Sequence, residues 1–319
     1  MSLIQKFKWS YSRMTGQYYF ICRTTSSGSG NSFTVRPTSF FNFQNIIMKV
    51  SSKFILTSII IVSFTSCTKG PYNHDQTANE SISPLRVNEH QDVQIFKAAG
   101  NIDSALQHFR DLLGQLNVAP GVSGGRREVN WDAVPIEFTN NDHFPGNFFA
   151  ASDPALPNGR KRGIFYTTPG TGFIISDNDF EFINPSYPAQ FKAFSPKKTF
   201  MPANSNIVDN FFKVPGTEDK ATIQGFGVVF SDVNNASSTS IEYYNGDRLL
   251  GSFKVPNVGN NNPGGFSFLG VYFPDEQVSR VRIVSGNAAL SPTQNDLSDG
   301  GGKDLAVMDD FIYSEPVRQ

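Results

Sequence analysis

Apolar and polar positions follow two different periods along this chain. Ile102, Ala105, Leu106, Phe109, Leu112, Leu113 and Leu116 recur at three- and four-residue steps, which is one stripe of an amphipathic helix. Asn101 or Asp103 is placed to cap its start and Gly114 its end. The polar side carries Asp103, Arg110 and Asp111 rather than a row of lysines, so the helix is expected to dock on a sheet rather than lie on a membrane. From Val129 onward the period becomes two and turn residues are frequent. Candidate strands are Arg127–Ala133, Gly163–Tyr166, Gly172–Ile175, Ala221–Phe230, Ser240–Tyr244, Leu249–Val255, Gly265–Phe273, Arg280–Ser285 and Leu305–Tyr313. Asn245-Gly246 between two of them is a hairpin signal.

Many short strands separated by Gly, Pro and Asn predict a mainly β chain. The expected fold is an antiparallel β-sandwich or jelly roll with one N-terminal amphipathic helix docked on it. The 30 phenylalanines fit two sheets that share an aromatic core. No internal repeat occurs at a fixed period.

One apolar stretch has neither period. Phe54–Phe64 is an uncharged, mainly apolar run of eleven residues, about half of the ~20 needed to span a bilayer and suited to a secretory h-region. Lys49 and Lys53 precede it, and Phe64-Thr65-Ser66 lead into Cys67. Residues 48–67 resemble a bacterial lipoprotein signal. The resemblance implies that Cys67 is acylated, that the mature protein is held on the membrane of the cell envelope by that lipid, and, since Thr68 is not acidic, that it resides in the outer membrane. Residues 1–47 contain no Asp or Glu and read as a disordered upstream extension, with translation expected to start at Met48. Residues 68–95 are polar and aperiodic, a flexible tether, and 96–317 form the folded domain.

Charge sharpens this division. All 28 acidic residues follow Cys67, while 7 of the 27 basic residues lie at or before it. The exported part therefore carries 20 basic against 28 acidic residues, a net charge near −8. Such a surface repels nucleic acid, which is excluded as a partner. Cys22 and Cys67 are the only cysteines, so without residues 1–47 the exported domain has no disulfide.

Gly125-Arg126-Arg127-Glu128 followed by Val129–Ala133, together with Asp209–Gly216, Gly225–Val233, Phe266–Val271 and Val307–Pro316, resembles a group of uncharacterised secreted bacterial proteins with a GRREINWDG-type run. Here Val129 stands for Ile and Ala133 for Gly. The resemblance covers roughly Asp103 to Pro316 and implies a compact extracellular β-domain without a known activity.

Candidate chemistry is sparse. On a regular strand Asp309 and Asp310 point to opposite faces, so one carboxylate must sit among apolar side chains and needs a cation, hydrogen bonds or a metal. Asp232, at the end of Ala221–Phe230, has the same problem. These three acids are the candidates for a structural Ca²⁺, the alternative being that Arg126, Arg127 or backbone amides satisfy them. Arg280 and Arg282 share one strand face and are expected to be solvated. Asp177–Glu181 opens like a calcium loop, but Phe182 and Pro188 replace the Gly and Glu of an EF-hand. Trp131, Tyr243 and Tyr244 are candidate sugar-stacking aromatics, and one of the two tyrosines must face outward. Only His74, His90, His108 and His143 are available, without a Gly-x-Ser-x-Gly elbow or an HExxH motif, so no enzyme is expected. The leading expectation is a membrane-anchored β-sandwich binding or structural module, glycan-binding with structural calcium. The alternatives are a polysaccharide hydrolase using a carboxylate pair in an open cleft and an architectural protein that binds another envelope protein.

Overall fold

The structure, a computed structural model, describes residues 6–14, 17–25 and 92–319. The chain divides into two units. In the first, β1 (Lys6–Met14) and β2 (Gln17–Thr25) form an antiparallel hairpin with Lys6 opposite Thr25 and Met14 opposite Gln17. The apolar run, Cys67 and nearly all of the expected tether lie outside the described residues.

Residues 92–319 hold, in chain order, β3 (Gln94–Ala99), α1 (Asp103–Leu113), β4 (Arg126–Val129), β5 (Ile164–Thr167), β6 (Gly172–Ser176), β7 (Thr199–Ala203), β8 (Ile207–Lys213), β9 (Lys220–Thr222), β10 (Gly225–Ser231), β11 (Ser240–Asn245), β12 (Arg248–Lys254), β13 (Phe266–Tyr272), β14 (Arg280–Val284), β15 (Val307–Ser314) and β16 (Val317–Arg318). They build two seven-stranded antiparallel sheets. One runs β3-β13-β10-β15-β7-β6 with β4 also paired to β15; the other runs β12-β11-β14-β8-β9-β16 with β5 also paired to β8. This is the expected β-sandwich. Within residues 92–319 four strands, β3, β7, β8 and β16, had no counterpart in the sequence reading, and neither did the β1–β2 hairpin, which lies in the stretch expected to be disordered. β3 begins inside the stretch read as tether, because Phe96 and Ala98 face the helix and give its alternation a purpose.

The inner faces share one core in which Phe226, Val228, Phe230, Leu269, Val271, Phe311 and Tyr313 meet Val208, Phe212, Ile241, Tyr243, Val281 and Ile283. Trp131 is its hub. The indole stacks on Phe200 with centroids 4.1 Å apart and meets Phe311 edge-on. Edge-on and offset ring contacts of this kind add to the area term.

α1 covers the outer face of the first sheet. Ile102, Leu106, Phe109 and Leu113 pack on Val229, Phe268 and Ile312. The helix comes close because Gly227 and Gly270 stand opposite each other on β10 and β13. A Cβ on Gly270 would lie 2.9 Å from the Phe109 ring. The N-cap is neither expected residue but Ile102, which has no side-chain cap; the preceding Asn101 side chain accepts from the Asp103 N–H at 3.1 Å. Gly114 ends it with φ +90°, a backbone conformation that glycine tolerates.

Candidate functional site

Period-two alternation along β5, β8, β14 and β11 turns one set of side chains into the core and the other to solvent. The outward set forms rows in cross-strand register. Phe165 pairs with Phe211, Phe211 with Arg280, and Arg280 with Tyr244. The next row runs Thr167, Asp209, Arg282 and Glu242. Phe165 and Phe211 stack at 5.3 Å with their planes 19° apart. Arg280 lies over the Tyr244 ring at 3.8 Å, a cation–π contact.

Asp209 organises the polar row. Its Oδ1 accepts from Arg280 Nη1 at 3.0 Å and Arg282 Nε at 2.9 Å, and its Oδ2 from Arg282 Nη2 at 2.8 Å. Arg280 and Arg282 do share the outer face, but both engage this carboxylate instead of being simply solvated. Beside these rows a groove of about 690 Å³ opens, walled by Phe165, Phe211, Lys213, Lys220, Asp247 and Arg280. Lys213 is ion-paired to Glu218 and stands 5.6 Å over the Phe165 ring. The groove thus joins partly exposed aromatic rings to fixed donors and acceptors of both charges.

The sugar-stacking candidates fare differently. Trp131 is 1% exposed and Tyr243 is fully buried, so neither presents a face to a ligand. Both point inward because the core needs the largest rings available. The Trp131 N–H donates to the Asp309 carbonyl at 2.8 Å, and the Tyr243 hydroxyl to the Phe226 carbonyl at 2.8 Å. Tyr244 faces outward as its position after Tyr243 requires, at the far end of the aromatic row and under Arg280. Phe165, Phe211 and Asp209 were not singled out from the sequence. The alternation of Asp209, Phe211 and Lys213 with Val208, Asn210 and Phe212 was the signal that could have found them.

A second polar site lies on the other sheet. Val228 pairs with Phe311 and Phe230 with Met308, so Val229 alone opposes Asp309 and Asp310. This β-bulge sets two residues against one and turns both carboxyl groups to the helix side. The expectation that they face opposite ways fails here because a bulge breaks the period of two. Asp309 Oδ2 accepts from the Phe194 N–H at 2.5 Å and the Ser195 N–H at 3.2 Å, and its Oδ1 accepts from the Ser195 hydroxyl at 3.0 Å. Asp310 Oδ2 accepts from Arg110 Nη2 at 3.3 Å. Burial, then the Asp310 charge, pushes the Asp309 carboxyl up to about 9. Burial also raises Asp310, against the pull of Ser195, Asp309 and Arg110. Two adjacent buried carboxyls cannot both ionise cheaply, so the pair retains a proton at neutral pH.

Arg110 also grips Glu128, Nε to Oε1 at 2.9 Å and Nη2 to Oε2 at 2.7 Å, and Arg126 adds a bond to Oε1 at 2.6 Å. Burial would raise the Glu128 carboxyl, but the two guanidiniums outweigh it and hold it below its ordinary value. A cavity of about 390 Å³ faces these groups, walled by Arg110, Glu128, Asn130, Arg162, Ser195 and Asp310.

Asp232 belongs to neither site. Its Oδ1 accepts from Asn234 Nδ2 at 3.1 Å and the Gly264 N–H at 3.2 Å, and its Oδ2 from Ser298 Oγ at 2.9 Å. Burial, then the neighbouring Asp296 charge, raises it to about 7. The donors around Asp232 and Asp309 are amides and hydroxyls, which a cation would have to displace. Among the described residues no group of three or more His, Cys, Asp or Glu side chains is arranged to hold a metal, and no helix is long and apolar enough to cross a membrane. No family model matches the chain, and no curated protein proved similar to it.

Proposed function

We propose that this protein is an envelope lipoprotein, anchored through a lipid on Cys67, whose β-sandwich binds a glycan in the groove on the outer face of its second sheet. The observation that carries the reading is the stacked Phe165–Phe211 pair in register with Arg280 and beside the Asp209–Arg282 ion network. A sugar ring has an apolar face and a rim of hydroxyls. Aromatic rings match the first, and planar charged groups held rigid by one another match the second at little cost in side-chain entropy. The groove's size fits the range of ligand pockets. Its basic and acidic side chains are nearly balanced, which favours an uncharged glycan. α1 packs on the other sheet, which leaves this face to the ligand.

The test is glycan-array binding by the full chain, followed by calorimetry on any hit with Phe211→Ala. Binding that weakens tenfold or more on this change, in a chain of unaltered thermal stability, is the expected result. A chain that binds no glycan on the array sinks the reading. Metabolic labelling with a fatty-acid analogue tests the anchor separately, and an undiminished signal in Cys67→Ala would overturn it.

A further inference from the structure

The cavity on the first sheet goes beyond binding: the geometry points to a glycoside-hydrolysing site in which Glu128 is the nucleophile and Asp310 the acid and base. Glu128 on β4 stands opposite Ile312, and Asp310 precedes Ile312 by two residues, so the two side chains are diagonal neighbours on the same outer face. Both accept from the same atom, Arg110 Nη2, at 2.7 Å and 3.3 Å. Their oxygens are therefore at most about 6 Å apart, a bound that admits the ~5–5.5 Å separation of carboxyls that work with retention. Both line the cavity of about 390 Å³.

Two carboxyls in one cavity with opposite environments have opposite roles. Glu128 lies between Arg110 and Arg126 and stays ionised. Asp310 is 4% exposed and shares a proton with Asp309, which the Phe194 and Ser195 N–H groups hold in place. Asp309 is a positioning residue: it touches no substrate but keeps a proton beside Asp310. The bulge makes this possible, since a regular strand would send Asp309 to the core. Phe194 offers the cavity an apolar wall, and Asn130, Arg162 and Ser195 offer partners for sugar hydroxyls.

The chemistry balances with water as the only co-reactant. The Glu128 carboxylate attacks the anomeric carbon and forms a glycosyl ester as the bond to the leaving oxygen breaks. Asp310 passes that oxygen the proton that Asp309 holds beside it. Water then attacks the same carbon while the Asp310 carboxylate takes its proton, and the ester bond to Glu128 breaks. One glycosidic bond and one water become two hydroxyl compounds, with the anomeric configuration retained.

The full chain is to be assayed on 4-nitrophenyl and 2,4-dinitrophenyl glycosides of neutral hexoses and pentoses in both anomeric forms, with product stereochemistry read by NMR. Hydrolysis with retention is expected. Asp310→Asn should lower kcat/KM about 10²–10⁴-fold on the 4-nitrophenyl substrate, but much less on the dinitrophenyl one, whose leaving group needs no proton. That contrast would not follow from a structural defect. Glu128→Ala should lose activity and regain it with azide, yielding a glycosyl azide. In the unaltered protein, a 2-deoxy-2-fluoroglycosyl fluoride should add one glycosyl mass to the peptide bearing Glu128, a readout that needs no variant. Absence of hydrolysis on every glycoside, inversion of configuration, or full activity in Glu128→Gln overturns the assignment. Glycan binding without hydrolysis leaves the groove standing alone; hydrolysis without array binding does the reverse.

Discussion

Arg127 and Glu315 form a buried two-point ion pair, Nε to Oε2 at 2.8 Å and Nη2 to Oε1 at 2.7 Å. Arg127 is fully buried and Glu315 is 5% exposed. The pair ties β4 to the residue that follows β15, and Arg127 Nη2 also donates to the Ala119 carbonyl at 2.9 Å. Removing one partner leaves a buried charge without its counterion, which costs about 3–5 kcal/mol. Arg127→Met should lose that much in guanidinium denaturation. The double change with Glu315→Met should recover a large part of it, and a double variant no better than the single would refute the pairing argument.

The buried acids set a pH dependence whose sign can be worked out. Asp309 and Asp232 are raised to about 9 and about 7 in the folded chain, whereas an unfolded aspartate titrates near 3.9. Between those values the folded state binds more protons than the unfolded one, so stability falls as pH rises. The melting temperature should decline from pH 5 to pH 9, more steeply below pH 7, where both acids contribute, than above it. Asp309→Asn should flatten the slope above pH 7. A melting temperature that climbs over this interval in the parent, or an equally steep slope in the variant, would contradict the assignment.

Helix docking depends on the absence of two side chains. A methyl on Gly270 would meet the Phe109 ring and the Phe268 ring at 2.9 Å each, and neither ring has room to retreat in a closed core. Gly270→Ala should cost about 1–3 kcal/mol by overpacking. Phe109→Ala should cost about 3–5 kcal/mol by leaving a void. Urea denaturation of both variants tests this. Indifference to the alanine at 270 would mean that the helix sits less closely than described.

In the groove, Phe211→Ala and Asp209→Asn should separate stacking from hydroxyl recognition. Phe211→Ala removes a partly exposed ring and is expected to weaken glycan binding tenfold or more with little change in stability. Asp209→Asn removes the carboxylate that Arg280 and Arg282 share. It should alter which glycans bind more than how tightly, as read on the same array. Equal profiles for the two variants would argue that the row is not the ligand surface.

The helix was legible because apolar positions at helical spacing need a partner face; Ile102, Leu106, Phe109 and Leu113 find it on the first sheet, while Leu112 and Leu116 stay exposed. Most strands were legible from alternation, and the hairpin at Asn245-Gly246 from its turn chemistry, with Gly246 at φ +58°. β8 escaped notice because Asn210, fully buried, interrupts its apolar face; its Nδ2 donates to the Val281 carbonyl. Trp131 and Tyr243 looked like ligand residues because an aromatic side chain has the same composition signal in a core as on a surface.

Residue order along the chain decided the class of fold, the helix that covers it and the sign of its charge, since each of these depends on local period or composition. Which carboxyls meet was decided only in three dimensions. One unmatched residue in the pairing of β10 with β15 brings Asp309 and Asp310 to the same face, and Arg110, 200 positions away from Asp310, joins them to Glu128. Register and bulges come from the packing of whole sheets, so the partners of a buried charge cannot be read from its neighbours in sequence.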